Sequence, residues 1–86
     1  MTLQDLRKRI DQLDTRLLKL LNKRARLAVR VGLLKKRVGQ RLFDPKREQT
    51  ILRRVTGANH GPLPAQAVHA IYREILRQIR RLEQSV

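Results

Sequence analysis

Cysteine is absent from the 86-residue chain, which excludes a disulfide framework and a thiolate metal site. Histidine is scarce. His60 and His69 stand nine positions apart, a spacing that fits no zinc-ligand motif, so neither metal nor cofactor is expected. Phe43 and Tyr72 are the only aromatic residues, too few to serve as stacking platforms for single-stranded nucleic acid. No apolar run approaches the roughly 20 residues of a membrane span. Met1-Thr-Leu-Gln-Asp offers no basic segment leading into an apolar one, so a signal peptide is not expected. These absences point to a cytoplasmic protein without membrane association. Acidic residues are few as well: 7 Asp+Glu stand against 21 Lys+Arg, a formal net charge of +14. Such a surface attracts anions, and a basic helical nucleic-acid-binding protein is the first class to weigh. Charge excess alone is commonly a solvated surface, so the positions of the cations carry more information than their number.

Helix breakers are sparse too, and where they fall divides the chain. From Leu3 to about Val38 only Gly32 interrupts helix-forming residues. Leu3, Leu6, Ile10, Leu13, Leu17, Leu20, Leu27, Val31 and Leu34 recur at helical spacing. A helix of that length spans about 50 Å, against a radius of gyration of about 12 Å for a compact domain of this size. The remaining residues cannot cover it, and a second copy of the chain is the simplest cover. Gly39-Gln-Arg-Leu-Phe reads as a short loop. Asp44-Pro45 reads as an N-cap followed by proline in the first helical position, opening a helix to about Thr56 that stops at Gly57 as a C-cap. Turn chemistry follows through Gly61-Pro-Leu-Pro. Pro64 then opens a third helix carrying Val68, Ile71, Tyr72, Ile75, Ile79 and Leu82. Strand signals and internal repeats are absent. The expectation is a single all-α domain, residues 1–86, of one long, one short and one medium helix.

On a helical wheel Lys19, Lys23, Arg26, Arg30 and Arg37 gather on one arc, as a solvated face would. Arg24 and Lys35 depart from it. Arg24 fills the slot between Leu20 and Leu27 where a leucine is due, and Lys35 projects within about 20° of it, amid the arc of Leu6, Leu13, Leu17 and Val31. A cation on an apolar arc needs a partner or a path to water, which leaves a buried ion pair, a snorkelling side chain or a cavity for an anionic ligand. The two lie about 16 Å apart along the axis, and long side chains could grip opposite ends of one small molecule. Arg7 lies on the edge of the same arc. It is too far up the helix to reach that ligand within its own chain, though within reach of an antiparallel partner. Glu48 shares a face with Leu52 and Val55, Arg47 shares one with Ile51, and Glu83 points with Tyr72, Leu76 and Ile79. Asp44 is explained by capping alone, and terminal fraying would leave Glu83 in solvent.

Leu6-Arg7-x-x-Ile10-Asp11-x-Leu13-Asp14-x-x-Leu17-Leu18-x-Leu20-Leu21-x-x-Arg24, with Leu27-Ala28-x-x-Val31-Gly32-x-x-Lys35, resembles the first helix of the AroQ-class chorismate mutases. Asp44-Pro45-x-Arg47-Glu48 is similar to the start of their second helix. Gly61-Pro-Leu-Pro and Ile71-Tyr72-Arg-Glu-Ile75 are similar to the approach to their third. The resemblance implies an intertwined helical homodimer that rearranges chorismate to prephenate without a cofactor, as a step of phenylalanine and tyrosine synthesis. Carried over by position, it implies that Arg24 and the partner's Arg7 hold the substrate carboxylates, with Arg47 adding positive charge. Lys35 would meet the ether oxygen and a carboxylate. Asp44, largely through its backbone, and Glu48 would bind the ring hydroxyl, and Glu83 would place a second hydrogen bond on the ether oxygen. Ile79 stands where the family commonly has a small polar residue near the ring carboxylate, and Glu83 where many members have glutamine. The resemblance also covers isochorismate-pyruvate lyases of the same fold, and domains joined to other enzymes of aromatic amino-acid synthesis. Nucleic acid is not the expected partner, because it leaves Arg24 and Lys35 unexplained.

Overall fold

The computed structural model describes Met1–Val86 and consists of three helices: α1 (Leu3–Arg37), α2 (Pro45–Gly57) and α3 (Ala65–Ser85). There are no strands, as expected. Thr2 caps α1 through a capping box, for which Thr-x-x-Asp before an apolar run is a sequence signature. Its hydroxyl accepts from the Asp5 N–H at 3.1 Å, and the Asp5 carboxylate accepts from the Thr2 N–H at 3.0 Å.

The end of α1 is a Schellman turn. Val38 is the C-cap, the Gly39 N–H donates to the Lys36 carbonyl at 3.3 Å, and the Gln40 N–H donates to the Lys35 carbonyl at 2.8 Å. Gly39 sits at φ 73°, the left-handed conformation this turn requires and a side chain would strain. Asp44 caps α2 as expected, its carboxylate accepting from the Arg47 N–H at 3.0 Å, with Pro45 in the first turn. Two boundaries differ from expectation. Gly57 lies within α2 and Ala58 is the C-cap, because no left-handed residue is needed where the chain leaves α2 with Ala58 near helical dihedrals. Pro64 is the N-cap of α3 rather than its first residue, with extended φ and ψ, and its carbonyl accepts the Val68 N–H at 3.2 Å.

Both α1 and α2 pack on α3, while α1 and α2 make no direct helix–helix packing. The core is small: Ile51, Val68, Leu76 and Ile79 are its buried apolar residues, joined by Gly32 of α1. The molecule measures 55 × 24 × 15 Å, with a radius of gyration of 15.9 Å. That exceeds the roughly 12 Å of a compact chain of this length, because α1 overhangs the other two helices. Every residue through Leu20 is exposed, including Leu6, Ile10, Leu13 and Leu17. An apolar stripe of this length on an isolated chain signals an interaction surface. No helix is long and apolar enough to cross a membrane.

Candidate active site

The C-terminal third of α1, the 42–44 loop, the inner face of α2 and the last turns of α3 enclose a cavity of about 300 Å³, within the range of small-molecule sites. Arg24, Lys35, Asp44, Arg47, Glu48, Ile79 and Glu83 all line it. Seven of the eight positions singled out from the sequence therefore converge. Arg7 is the exception. It lies up α1 in an exposed groove with Gln4, Asp5, Lys8 and Asp11, outside the cavity of its own chain.

The cations of α1 divide as their positions around the helix predict. Lys19, Lys23, Arg26, Arg30 and Arg37 are exposed, whereas Arg24 and Lys35 are half-buried. A buried ion pair does not account for those two, since the ion pairs of the molecule are Arg77–Glu74 and Arg80–Glu48. Lys35 is held by the turn that ends its helix: its carbonyl accepts from Gln40, and its Nζ donates to the Leu42 carbonyl at 3.3 Å. That single bond leaves two ammonium donors for a ligand. Arg24 makes no side-chain hydrogen bond or ion pair and lines the cavity.

Glu83 enters the same cavity from α3 and is half-buried, not frayed into solvent. Burial raises its pKa above the ordinary glutamate value. Lys35 and Arg24 pull it back down, Glu48 adds to the rise, and Arg80 opposes it. The net upward direction means that Glu83 takes up a proton, and so becomes a hydrogen-bond donor, more readily in the cavity than in water.

Two lining cations escaped the sequence reading, Arg54 and Arg80. Arg80 Nη1 donates to both Glu48 carboxylate oxygens, at 3.0 and 2.8 Å, and its guanidinium lies 4.3 Å from the centre of the Phe43 ring. A signal was available. Arg80 falls about 40° around the wheel from Leu76, one turn before Glu83, and so is a cation on the apolar arc of α3 as Arg24 is on that of α1. Arg54 follows Ile51 by one turn of α2 and would have been found the same way.

Once Arg80 is paired with Glu48, the cavity retains Arg24, Lys35, Arg47 and Arg54 without ion-pair partners. Four cations around a space with apolar walls from Leu27, Val31, Leu42, Ile51, Leu76 and Ile79 suit a small, multiply anionic, partly apolar ligand.

Residues 6–84 match the family model described as chorismate mutase type II. The chain is 38% identical over 88 residues to the bifunctional chorismate mutase/prephenate dehydratase of Aquifex aeolicus (strain VF5), covering 98% of this chain and 24% of that protein. It is 38% identical over 77 residues to the bifunctional chorismate mutase/prephenate dehydratase of Neisseria gonorrhoeae, covering 90% of this chain and 21% of that one. The chain thus spans about a quarter of the length of the curated relatives it matches. Among solved structures, the Form II chorismate mutase of Thermus thermophilus superposes with a TM-score of 0.93 at 36% identity, covering 94% of this chain and 92% of that one. Helicobacter pylori chorismate mutase in complex with prephenate superposes with a TM-score of 0.89 at 32% identity, covering 96% and 90%. With the family model spanning nearly its whole length, the chain belongs to the type II chorismate mutase family.

Proposed function

We propose that this chain, as a single domain, catalyses the rearrangement of chorismate to prephenate in the cavity between α1, α2 and α3. The observation that carries the proposal is the placement of Arg24 and Lys35. Both are half-buried, lack an ion-pair partner and line one cavity with Glu83. Chorismate carries two carboxylates and reacts by an intramolecular [3,3] shift, which needs no nucleophile and no external proton transfer. The demands on a catalyst are to hold an extended dianion in its compact reactive conformer and to stabilise charge building on the ether oxygen as the C–O bond opens. Fixed cations on a half-apolar wall serve both.

In this reading Arg24 and the partner's Arg7 hold the carboxylates, with Arg47 adding to the positive field. Lys35 donates to the ether oxygen and to a carboxylate. Glu48 and the backbone at Asp44 receive the ring hydroxyl, and protonated Glu83 donates a second hydrogen bond to the ether oxygen. Ile79 supplies no polar atom, so the ring carboxylate depends on the cations alone. The working unit is an antiparallel homodimer. The exposed apolar stripe Leu6, Ile10, Leu13 and Leu17 supports it, as does the position of Arg7 outside its own chain's cavity. The setting is the cytoplasmic synthesis of phenylalanine and tyrosine, where other enzymes of that route are candidate partners.

Incubating purified protein with chorismate and following its ultraviolet absorbance tests the reaction. Conversion to prephenate supports the proposal. Parallel incubation with isochorismate, with release of pyruvate instead, would assign the chain to the lyase reaction. Tight, salt-dependent nucleic-acid binding without turnover would assign it to neither.

A further inference from the structure

Glu48 and Arg80 form the one ion pair that joins separate elements, 32 residues apart in sequence and linking α2 to α3. Both side chains are about a quarter exposed, at 25% and 26%. The surface pair Glu74–Arg77 spans one turn of α3 and organises nothing beyond it. Arg80 is fixed from two directions, by Nη1 on the carboxylate and by the Phe43 ring 4.3 Å from its guanidinium carbon. Phe43 immediately precedes the α2 N-cap, so the loop that starts α2 also holds the arginine that reaches into it.

The geometry of the pair leaves Glu48 usable. A carboxylate offers about four lone-pair positions, and one bridging nitrogen on both oxygens occupies two. The others remain for a group in the cavity that Glu48 and Arg80 both line. A free glutamate would have to lose rotamer entropy when it meets a ligand hydroxyl. Here that ordering is already complete, and the carboxylate is presented as a preformed acceptor.

We propose that Arg80 is a positioning residue that aims Glu48 at the ligand hydroxyl and so sets the selectivity of the site for hydroxyl-bearing over deoxy ligands. This rests on the reading of the cavity as a chorismate site. A site built to hydrogen-bond a hydroxyl discriminates against the analogue lacking it, because the acceptor is then left unmatched. Arg80 sharpens that discrimination by denying Glu48 the freedom to turn away. It does not itself contact the reacting atoms.

The test compares the affinities of prephenate and of prephenate with hydrogen in place of its ring hydroxyl, measured by calorimetry. Arg80→Met is expected to weaken prephenate about tenfold, the loss of one oriented charge-assisted hydrogen bond, and to change the deoxy analogue less than about twofold. In a Glu48→Gln background, Arg80→Met should have little further effect on either ligand. Arg80→Lys should restore part of the discrimination, since an ammonium can reach Glu48 but cannot offer a planar face to Phe43. It also carries the test if circular dichroism shows Arg80→Met unfolded. Equal weakening of both ligands by the Arg80 variants would make Arg80 a general cation for the dianion and overturn the proposal. Unchanged affinities would overturn it too, while leaving the chorismate reading intact. Failure of the wild-type chain to bind prephenate would overturn both.

Discussion

Glu83 of α3 packs over Gly32 of α1. A Cβ built on Gly32 would meet the Cβ, Cγ and Oε2 of Glu83, each at 3.5 Å. Gly32 is the buried residue of α1, and a methyl group there would make ordinary van der Waals contact with Glu83, so this is where α1 and α3 come together beside the cavity. Packing around Glu83 desolvates it, and burial is the leading cause of its raised pKa. If protonated Glu83 donates to the ether oxygen, kcat/KM rises as pH falls through its raised pKa. Glu83→Gln donates at any pH and gives a flatter profile. A pH–rate series on both proteins checks this, and a flat wild-type profile would remove Glu83 from the donor role.

The same shift has a consequence for stability. A carboxyl whose pKa is higher folded than unfolded binds its proton more tightly in the native state. Its contribution is therefore fully present below the unfolded value and is lost as pH rises through the folded one. Glu83 should weaken the fold between ordinary glutamate pKa and its own raised value. Asp5 and Glu74, both lowered by hydrogen bonds, act in the opposite sense at lower pH. The difference between wild type and Glu83→Gln isolates Glu83. In thermal melts the variant's advantage in Tm should grow as pH rises through the window and then level off.

Gly39 couples the end of α1 to the site, because the turn it permits sets both the carbonyl and the ammonium of Lys35. No atom lies within 4 Å of a Cβ placed there, so the penalty of a side chain is backbone strain alone. Gly39→Ala should cost about 1–2 kcal/mol, and Gly39→Asn less, since asparagine tolerates left-handed dihedrals. Urea denaturation gives the order. The alanine variant should also lose turnover, because Lys35 loses its fixed anchor.

If each site borrows Arg7 from a partner, Arg7→Ala and Arg24→Ala are each inactive but complement one another. In a mixed dimer, one site joins an intact Arg24 to an intact Arg7 and the other lacks both. Random exchange of equal amounts should restore about a quarter of the wild-type rate, by the symmetry of a two-fold dimer. Sedimentation should show a dimer throughout. No recovery on mixing would place Arg7 outside the site.

Much of this was legible in the sequence, because helix spacing and charge placement are local properties. Arg24 and Lys35 were found as cations on an apolar arc, and Asp44 as a cap. The partnership of Glu48 with Arg80 was not, since it depends on how α2 and α3 cross, and periodicity along one helix carries no information about the next. The contact between Gly32 and Glu83 escaped for the same reason: glycine in a helix reads as a weakness until the opposing side chain is known. Gly57 misled in the other direction. A glycine at a helix end suggests a left-handed cap, but the chain leaves α2 through Ala58 without one.

Arg24 and Lys35 are proposed to face a chorismate-binding cavity and not a structural void. The most direct measurement is the rate of chorismate loss catalysed by wild type, Arg24→Ala and Lys35→Ala, each shown by circular dichroism to be helical. Turnover to prephenate is expected for the wild type, with kcat/KM at least about a hundredfold lower in each variant, because Lys35→Ala removes a donor aimed at developing charge and Arg24→Ala removes a clamp that holds the dianion in its reactive conformer. Full activity in either folded variant would contradict this proposal.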